Sequence, residues 1–498
     1  MWQILLWIVM IVAGIGAVGG LYTWLAFRPP SSLKGSASDF TLTDVTCVTP
    51  GLERREQYDL TIRNGVIQRM EATASSAKTG QEMSRYAGAY VLPGLIDMHT
   101  HLPPDSPLKL TGQFCFLYLA HGVTSVREAG DLDGTAVPAA RQGMETHAFP
   151  GPRLYTCGPF IGGAPASWAN TAMVQHPGDA AAAVARVKAA GHHAVKSYDN
   201  LSVEQIQELK AAAAQHDLPV LGHVSTELSY EEALIPDVQH LLGVPEPRSL
   251  QQATIINRLG DWQDVDEARL DHIVETTLAH DIINTPTMVV TQQLLRYANY
   301  QEMLTDSVAC LLPRLYRNVV WHPVEGLSLY RTLSDDDMSR LRDSLVKKKT
   351  LVRRLYEAGA SLLIGTDVQQ PFVVPGASVH QEMQIFHDSG IPPEAIWAMA
   401  TWKSGQALRE PMLGTIQEGA PADLLIFRED PTQDLNAFST LEAVIAQGRL
   451  YTREEIDAVK ASYQKHCDNF LYDRLSVFLT RRILRRTVRQ PQRQSCCC

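Results

Sequence analysis

The chain has 498 residues, of which 45% are hydrophobic and 20% charged, enough to bury a large core in two or three domains or in one large barrel with additions. This composition excludes an intrinsically disordered, collagen-like or small disulfide-stabilised protein. The formal net charge of −10 disfavours general affinity for nucleic-acid phosphates, so we expect no nucleic-acid partner. The eight cysteines include no CxxC pair, which argues against a thiolate zinc site.

The N-terminal segment is almost free of polar residues. Between positions 2 and 27 only Gln3 and Thr23 are clearly polar, and an apolar run of about 20 residues is long enough to span a bilayer. We therefore predict a transmembrane helix at residues 1–29 and the lipid bilayer as a partner. Because Arg28 and Lys34 follow the run, we predict a single-pass protein with the bulk of the chain on the cytoplasmic side. An uncleaved export anchor with the body outside is the alternative.

Short strand-like runs lie on both flanks of the chain. They occur at residues 40–48, 58–62 and 66–70 near one end and at 423–427 and 443–445 near the other. We predict that they form one composite β-sandwich from residues 38–92 and 411–452, with the middle of the chain inserted between the two parts.

The middle of the chain, residues 93–410, alternates β-prone runs with amphipathic helical stretches. The eight runs are residues 95–101, 123–127, 153–156, 194–198, 219–223, 237–241, 283–289 and 361–367. Eight such units predict an α/β fold, a (β/α)8 TIM barrel, whose active-site residues lie at the carboxyl ends of the strands.

The C-terminal segment, residues 453–498, is locally basic. Arginines at positions 481, 482, 485, 486, 489 and 493 are interleaved with apolar residues, a spacing that predicts a basic amphipathic helix. The chain ends in Cys496, Cys497 and Cys498, which are either acceptors for a lipid chain or exposed thiols on a frayed terminus.

Most of the eight runs end in a residue that can bind a metal ion. These residues are His99, His101, Lys196, His223, His240 and Asp367. His99 and His101 are two positions apart, and alternate side chains of a strand point to the same side, so both imidazoles can face one ion. Each of the six alone could be a buried polar group, or for Lys196 a surface lysine, but packing does not require all of them at strand ends. Imidazole and carboxylate ligands predict a divalent metal site that suits zinc better than manganese, iron or cobalt.

Six segments also carry a family resemblance. They are VLPGLIDMHTH (91–101), AVKSYDNLS (194–202), LPVLGHVS (218–225), DVQHLLG (237–243), LLIGTDVQQPFVVPGASVH (362–380) and LGTIQEGAPADLLIF (413–427). Over residues 40–451 the chain resembles the amidohydrolase superfamily, and within it the imidazolonepropionase-like and Xaa-Pro dipeptidase (prolidase-like) branch. The resemblance implies a TIM barrel carrying a bipartite β-sandwich, with two divalent metal ions at the barrel mouth.

The resemblance also implies a role for each polar residue. His99 and His101 match the ligands of a buried ion, His223 and His240 those of a second ion, Asp367 the carboxylate after strand eight, and Lys196 a lysine that CO2 carboxylates to bridge the ions. His380 matches a position near the mouth, where it would contact the substrate. Tyr198 follows Lys196 by two residues and is a candidate donor to a developing oxyanion, with a packing role as the alternative.

These features predict a membrane-anchored, metal-dependent amidohydrolase of C–N bonds. Two divalent ions would lower the pKa of a shared water to give a bridging hydroxide, and Asp367 would pass the proton to the leaving nitrogen. The expected substrate is a small amide or dipeptide, either a peptide ending in proline, as for a Xaa-Pro dipeptidase, or a cyclic amide. The alternatives are a deaminase or cyclic-amidine hydrolase and, from another class, a catalytically silent membrane scaffold. The sequence leaves a homo-oligomer open.

Overall fold

The strands form the architecture that positions the polar residues. The computed structural model describes residues 2–36, 38–73, 81–249, 255–326 and 333–488. The strands in these ranges are β1 (Phe40–Thr49), β2 (Glu53–Arg63), β3 (Val66–Ala72), β4 (Gln81–Met83), β5 (Tyr90–Pro93), β6 (Leu95–Thr100), β7 (Val123–Glu128), β8 (Arg153–Thr156), β9 (Phe160–Gly162), β10 (Thr171–Met173), β11 (Val195–Ser197), β12 (Val220–Gly222), β13 (Asp237–Gln239), β14 (Ile283–Thr285), β15 (Leu424–Phe427), β16 (Leu441–Ala446) and β17 (Arg449–Thr452).

Helices connect most of the strands in the middle of the chain and flank it at both ends. They are α1 (Trp2–Phe27), α2 (Leu110–Ala120), α3 (Ala136–Glu145), α4 (Asp179–Ala189), α5 (Val203–Gln215), α6 (Tyr230–Ala233), α7 (Ile255–Gly260), α8 (Glu267–Ala279), α9 (Met288–Arg296), α10 (Tyr300–Met303), α11 (Asp335–Glu357), α12 (Ala377–Asp388), α13 (Pro393–Met399), α14 (Trp402–Ala407), α15 (Arg453–Cys467) and α16 (Phe470–Val488). Several helices begin at sequence-encoded caps; for example, Ser202 and Gln205 form a capping box that starts α5.

An eight-stranded mixed sheet joins the two flanks of the chain. Its order is β17-β16-β15-β5-β1-β2-β3, with β4 paired to β1. Strand β15 runs antiparallel to β5, with Leu424 opposite Pro93, so the late strands complete the sheet that the early strands begin. Its apolar side chains, such as Leu42 and Ile426, form a separate buried cluster. The domain boundaries stated above remain a prediction.

Eight parallel segments of the middle region form a closed ring. Strands β6-β7-β8 make one parallel sheet, and β11-β12-β13-β14 belong to another. The His193 N–H donates to Thr156 O (2.7 Å) across the first seam, and residues 361–366 supply the eighth segment. This segment is joined to β14 by a hydrogen bond from Leu363 N to Asn284 O (3.0 Å) and to β6 by one from Met98 N to Ile364 O (2.9 Å).

A buried ion pair crosses the interior of this ring. Arg127 on β7 lies 2.6 Å from the Asp237 carboxylate on β13, and both residues are buried. The same guanidinium donates from Nε to Met98 O on β6 (2.7 Å), and Asp237 accepts a hydrogen bond from the Thr285 hydroxyl on β14 (3.0 Å). Four strands are therefore tied together through one arginine.

The prediction for the N-terminal segment is wrong. Residues Trp2–Phe27 do form the helix α1, but none of the helices in the described ranges is long and apolar enough to cross a membrane. The predicted fold class is therefore wrong in including a transmembrane helix. The predicted single-pass membrane localisation, with the body of the protein on the cytoplasmic side, is wrong as well. The last turn of α1 is held by the protein itself, because Ala26 is buried and the ring of Phe27 lies 5.3 Å from that of Tyr472 on α16.

The C-terminal segment packs on the body of the protein over its described part. Tyr463 of α15 stacks on Phe116 of α2 with 5.2 Å between ring centroids, and Arg481 of α16 pairs with Glu325 at 3.3 Å. Cys496, Cys497 and Cys498, the suggested lipid acceptors, lie outside the described residues, as do the last two of the six arginines.

The ion pair inside the ring predicts a large stability loss when one partner is removed. Replacing Arg127 with Met leaves Asp237 buried and uncompensated, so the free energy of unfolding should fall by about 3–5 kcal/mol. Urea unfolding followed by fluorescence measures this change. The double variant R127M/D237L should recover most of the loss, and R55M, which breaks the partly exposed Arg55–Glu53 pair, should cost less than about 1 kcal/mol. A loss below 1 kcal/mol for R127M would contradict this role.

Candidate metal centre

Six polar side chains from the carboxyl ends of five ring segments converge at one end of the ring. They are His99 and His101 from β6, Lys196 from β11, His223 after β12, His240 after β13 and Asp367 after the eighth segment. The ring of His240 lies 4.6 Å from that of His99 and 5.0 Å from that of His223. All six are buried. The structure therefore brings together every residue that the sequence predicted as a metal ligand.

Two glycines allow these segments to approach so closely. At Gly365, a Cβ atom would lie 2.9 Å from the backbone nitrogen of His99 and 2.6 Å from the Thr285 side chain. Gly222, directly before His223, has a φ of 151°, and a Cβ there would lie 1.9 Å from Ser197 O. A larger residue at either position would push apart strands that carry the polar cluster.

His99, His101 and Asp367 form the tightest group. The Oδ1 atom of Asp367 lies 3.4 Å from Nε2 of His99 and 3.3 Å from Nε2 of His101, and one possible ligand atom from each residue lies within 4.8 Å of the others. The Asp367 N–H donates to His99 O (2.7 Å), which fixes the carboxylate beside the first strand. Asp367 has a positive φ of 60°, where the chain turns sharply out of the eighth segment.

Hydrogen bonds on the outer ring nitrogen orient three of the four histidines. Nδ1 of His101 lies 2.8 Å from the carbonyl oxygen of Gly130, which can only accept, so Nδ1 carries a proton and Nε2 is the nitrogen left for an ion. Nδ1 of His223 lies 3.0 Å from an Asp199 oxygen, and Nδ1 of His240 lies 2.6 Å from the Thr287 hydroxyl. This arrangement, with Nδ1 bound and Nε2 turned inward, is typical of metal-binding histidines.

Several buried atoms of the cluster lack hydrogen-bond partners among the described residues. These atoms are Nδ1 of His99, Nε2 of His240 and Oδ1 of Asp367. Leaving such acceptors buried and unpaired is costly, and a cation within reach of their lone pairs would remove the cost. The donor set of imidazole nitrogens and a carboxylate fits a divalent ion such as zinc.

Burial sets the charge of the cluster. It lowers the pKa of His99, His223 and His240 well below the usual range, so these imidazoles are neutral at pH 7. Burial opposes the charged form of His101 as well, but the carboxylates of Asp367 and Glu128 outweigh it and raise the pKa of His101 to about 9. Although burial disfavours its charge, Asp367 has a pKa well below the usual range because His99 and His101 adjoin it.

Lys196 and Tyr198 both lie at the cluster. Lys196 is fully buried and donates to the side-chain oxygen of Gln239, which excludes the surface lysine that the sequence left open. Burial lowers the pKa of Lys196 to about 8, so a sizeable fraction of the amine is neutral near physiological pH. The ring of Tyr198 lies 4.3 Å from that of His223, and its hydroxyl accepts a hydrogen bond from Trp168 Nε1 (2.9 Å).

The structure does not bring His380 into the cluster. His380 is half-buried on α12, where its Nε2 lies 2.9 Å from His121 O and its ring 3.7 Å from that of Phe438. Phe438 lies in the connection between β15 and β16, so His380 contacts the region of the mixed sheet. None of these contacts supports a role in binding substrate.

Two groups near the cluster were missed by the sequence reasoning. Glu128 is the last residue of β7, a position similar to that of His101 directly after β6. Both of its carboxylate oxygens are buried and form no hydrogen bond with a described residue. Its Oε1 atom lies 3.7 Å from Nδ1 of His101. The strand-end rule that found the ligands would have found Glu128 had the run 123–127 been extended by one residue. Asp199 contacts His223 and pairs with Arg258, which is 59 positions away in the chain, and no local pattern connects the two.

Two adjoining clefts lie among the loops at this end of the ring. One, of about 40 Å³, is lined by the loops that follow β12 and β13 and includes Ser225, Arg248 and Arg258. The other, of about 360 Å³, is lined by the loop after β11 and the start of α5, and it shares Ser225 and Leu228 with the first. None of the six residues of the cluster lines either cleft.

Comparison with known proteins identifies the class. The profile of the amidohydrolase family matches residues 90–450, and the chain belongs to this family, which places it among hydrolases that act on carbon–nitrogen bonds.

Three similar proteins illustrate the likeness. The structure of a Xaa-Pro dipeptidase with bound methionine has a TM-score of 0.62 at 17% identity and covers 83% of this chain and 100% of its own. That of a bottromycin amidohydrolase has a TM-score of 0.67 at 21% identity, covering 87% and 91%. An adenine deaminase from Lysinibacillus sphaericus (strain C3-41) is 35% identical over 68 residues, so the match spans only 14% of this chain and 11% of that relative. These findings support neither a bilayer nor a second copy of the chain as a partner.

The pKa of His101 predicts a pH-dependent affinity for metal. With a pKa of about 9, His101 is protonated at pH 7, and an ion that binds its imidazole must displace that proton. The apparent affinity for zinc should therefore fall by about tenfold per pH unit between pH 8.5 and 6.5. Competition with a chelator calibrated at each pH measures the affinity. The variant H380Q, outside the cluster, should show the same slope, whereas a pH-independent affinity in the wild type would contradict the prediction.

Proposed function

We propose that this protein is a metal-dependent hydrolase of amide bonds in small substrates. The observation that carries the proposal is the buried cluster of four histidines, one aspartate and one lysine, in which three side-chain atoms form no hydrogen bond with a described residue. A catalytically silent scaffold would not need these costly groups, and every position that the family resemblance predicts is filled.

In this proposal two divalent ions bind at the cluster. His99 and His101 would hold one ion, His223 and His240 would hold the other, and Asp367 would lie beside the first. When bound, such ions act as Lewis acids that activate a water molecule and polarise a carbonyl group. The buried, partly neutral amine of Lys196 can add CO2 and release a proton, which converts the lysine into a carbamate that can bridge two cations.

Asp367 carries the proton in the proposed reaction. Asp367 is a carboxylate whose Oδ1 lies 3.4 Å from Nε2 of His99 and 3.3 Å from Nε2 of His101, a position from which it can accept a proton from the attacking water. The protonated carboxyl then delivers the proton to the leaving nitrogen. Tyr198, whose hydroxyl is oriented by the hydrogen bond from Trp168, donates to the oxyanion that develops on the substrate.

We propose dipeptides ending in proline, or cyclic amides, as the substrate class. The similarity of fold to a Xaa-Pro dipeptidase agrees with this choice. A deaminase is the second candidate, and the short match to an adenine deaminase is the observation that favours it.

A substrate panel tests the proposal. The full chain, prepared with zinc and bicarbonate, should hydrolyse at least one of the Xaa-Pro dipeptides, N-acyl amino acids or lactams, and a chelator should abolish the activity until zinc is restored. Release of ammonia from adenine without hydrolysis of any amide would favour the deaminase. Amide hydrolysis that persists at full rate after complete removal of metal would contradict metal dependence.

Replacing Asp367 with Asn should remove the proton carrier while keeping the shape of the side chain. We expect kcat to fall by at least ~100-fold, the usual range for acid–base groups, with a much smaller change in bound metal. The matched control is D423N, which alters another buried aspartate that pairs with Arg153, and it should leave kcat near that of the wild type. If D367N lost its metal together with its activity, Asp367 would be a structural ligand instead.

A further inference from the structure

A buried carboxylate connects a predicted metal ligand to an arginine. The Oδ1 atom of Asp199 lies 3.0 Å from Nδ1 of His223 and 2.7 Å from Nη1 of Arg258. All three residues are buried, with side-chain exposures of 4% or less. The three come from the loops after β11 and β12 and from α7, so the contact ties together three segments at the carboxyl end of the ring.

We infer that Asp199 and Arg258 are positioning residues for the metal site, which they serve by fixing the ring and the tautomer of His223. The inference rests on the proposed function. An ionised carboxylate only accepts hydrogen bonds, so His223 must carry its proton on Nδ1 and keep the lone pair of Nε2 for an ion. Arg258 keeps Asp199 in its ionised form by pairing with the same oxygen.

Arg258 constrains His223 in a second way. Its Nη2 donates to the carbonyl oxygen of Val224, the residue after His223, at 3.3 Å. The guanidinium therefore holds both the backbone next to the histidine and the carboxylate that orients its ring. Such a two-point contact leaves the imidazole little freedom to rotate away from a ligand position.

The hydrogen bond on Nδ1 of His223 goes to a carboxylate, whereas those on Nδ1 of His101 and His240 go to the neutral carbonyl of Gly130 and the neutral hydroxyl of Thr287. A carboxylate hydrogen-bonded to Nδ1 raises the basicity of Nε2 more than a neutral acceptor does, so loss of Asp199 should make His223 a weaker donor to an ion. Removing Asp199 should therefore weaken the binding of one of the two proposed ions and leave the binding of the other unchanged.

Zinc titration of the full chain against a competing chelator tests this role. The wild type is titrated first and should bind two ions. If it does not bind a second ion, the proposed function itself is rejected. Given two ions, D199A should bind one of them about 10 to 100-fold more weakly, and R258M about tenfold more weakly, with the other ion unchanged. Arg248 provides a matched control because it lines the same cleft but pairs with Asp261, so R248M should bind both ions like the wild type.

The outcome that overturns the inference is a D199A protein that is folded, by circular dichroism and thermal unfolding, and binds both ions as tightly as the wild type. If D199A does not fold, D199N decides, because the amide oxygen preserves the shape and one acceptor but removes the charge. D199N should weaken the binding of one ion, by a smaller factor than D199A would. If D199N binds both ions with the affinity of the wild type, the inference is rejected as well.

Discussion

A single buried arginine holds the ring of strands together beneath the histidines. Arg127 reaches from β7 to the backbone of β6 and to Asp237 on β13, and Asp237 in turn accepts a hydrogen bond from Thr285 on β14. Burying two charges is costly, and the cost is recovered only if both groups keep all their partners. The spacing of these strands is therefore restricted, and with it the spacing of the ligands that follow them.

A second network connects the first and last segments of the ring at the ligands themselves. The carboxylate of Asp97 accepts hydrogen bonds from the backbone of His99 and from both the backbone and the hydroxyl of Thr366. His99 and Asp367 are thus fixed relative to each other through the residues beside them. The positive φ of Asp367 is unfavourable, but these hydrogen bonds hold the turn in place. Backbone strain of this kind is common at functional sites.

Much of the site could be predicted from the sequence, because the pattern is local to each strand. When an apolar run forms a ring strand, a histidine, lysine or aspartate at its end lies at the carboxyl end of that strand. This placement depends on the run itself and not on distant segments of the chain. The runs are apolar because their side chains pack in the core, and their alternation with helical segments identifies them in the sequence.

Other expectations depend on contacts that the sequence does not show. The apolar character of residues 2–27 predicted a membrane span, but none of the described helices is long and apolar enough for one, and the end of α1 contacts α16. His380 was assigned by a sequence match; the orientation of α12 directs it to His121 and Phe438, so its role in contacting the substrate stays a prediction. The partnership of Asp199 with Arg258 depends on how distant loops meet, which no spacing in the chain encodes.

The charges around His101 explain how one site can hold either a proton or a metal ion. Without a metal ion, Asp367 and Glu128 bring carboxylates to a buried imidazole, and the proton on His101 is the nearest compensating charge. In the proposed function, a divalent cation held by His99 and His101 beside Asp367 would supply two positive charges where the proton supplies one. The surplus carboxylate of Glu128 therefore favours the more highly charged occupant. Replacing Glu128 with a neutral residue would shift that balance towards the protonated, metal-free state, even though Glu128 touches no ion.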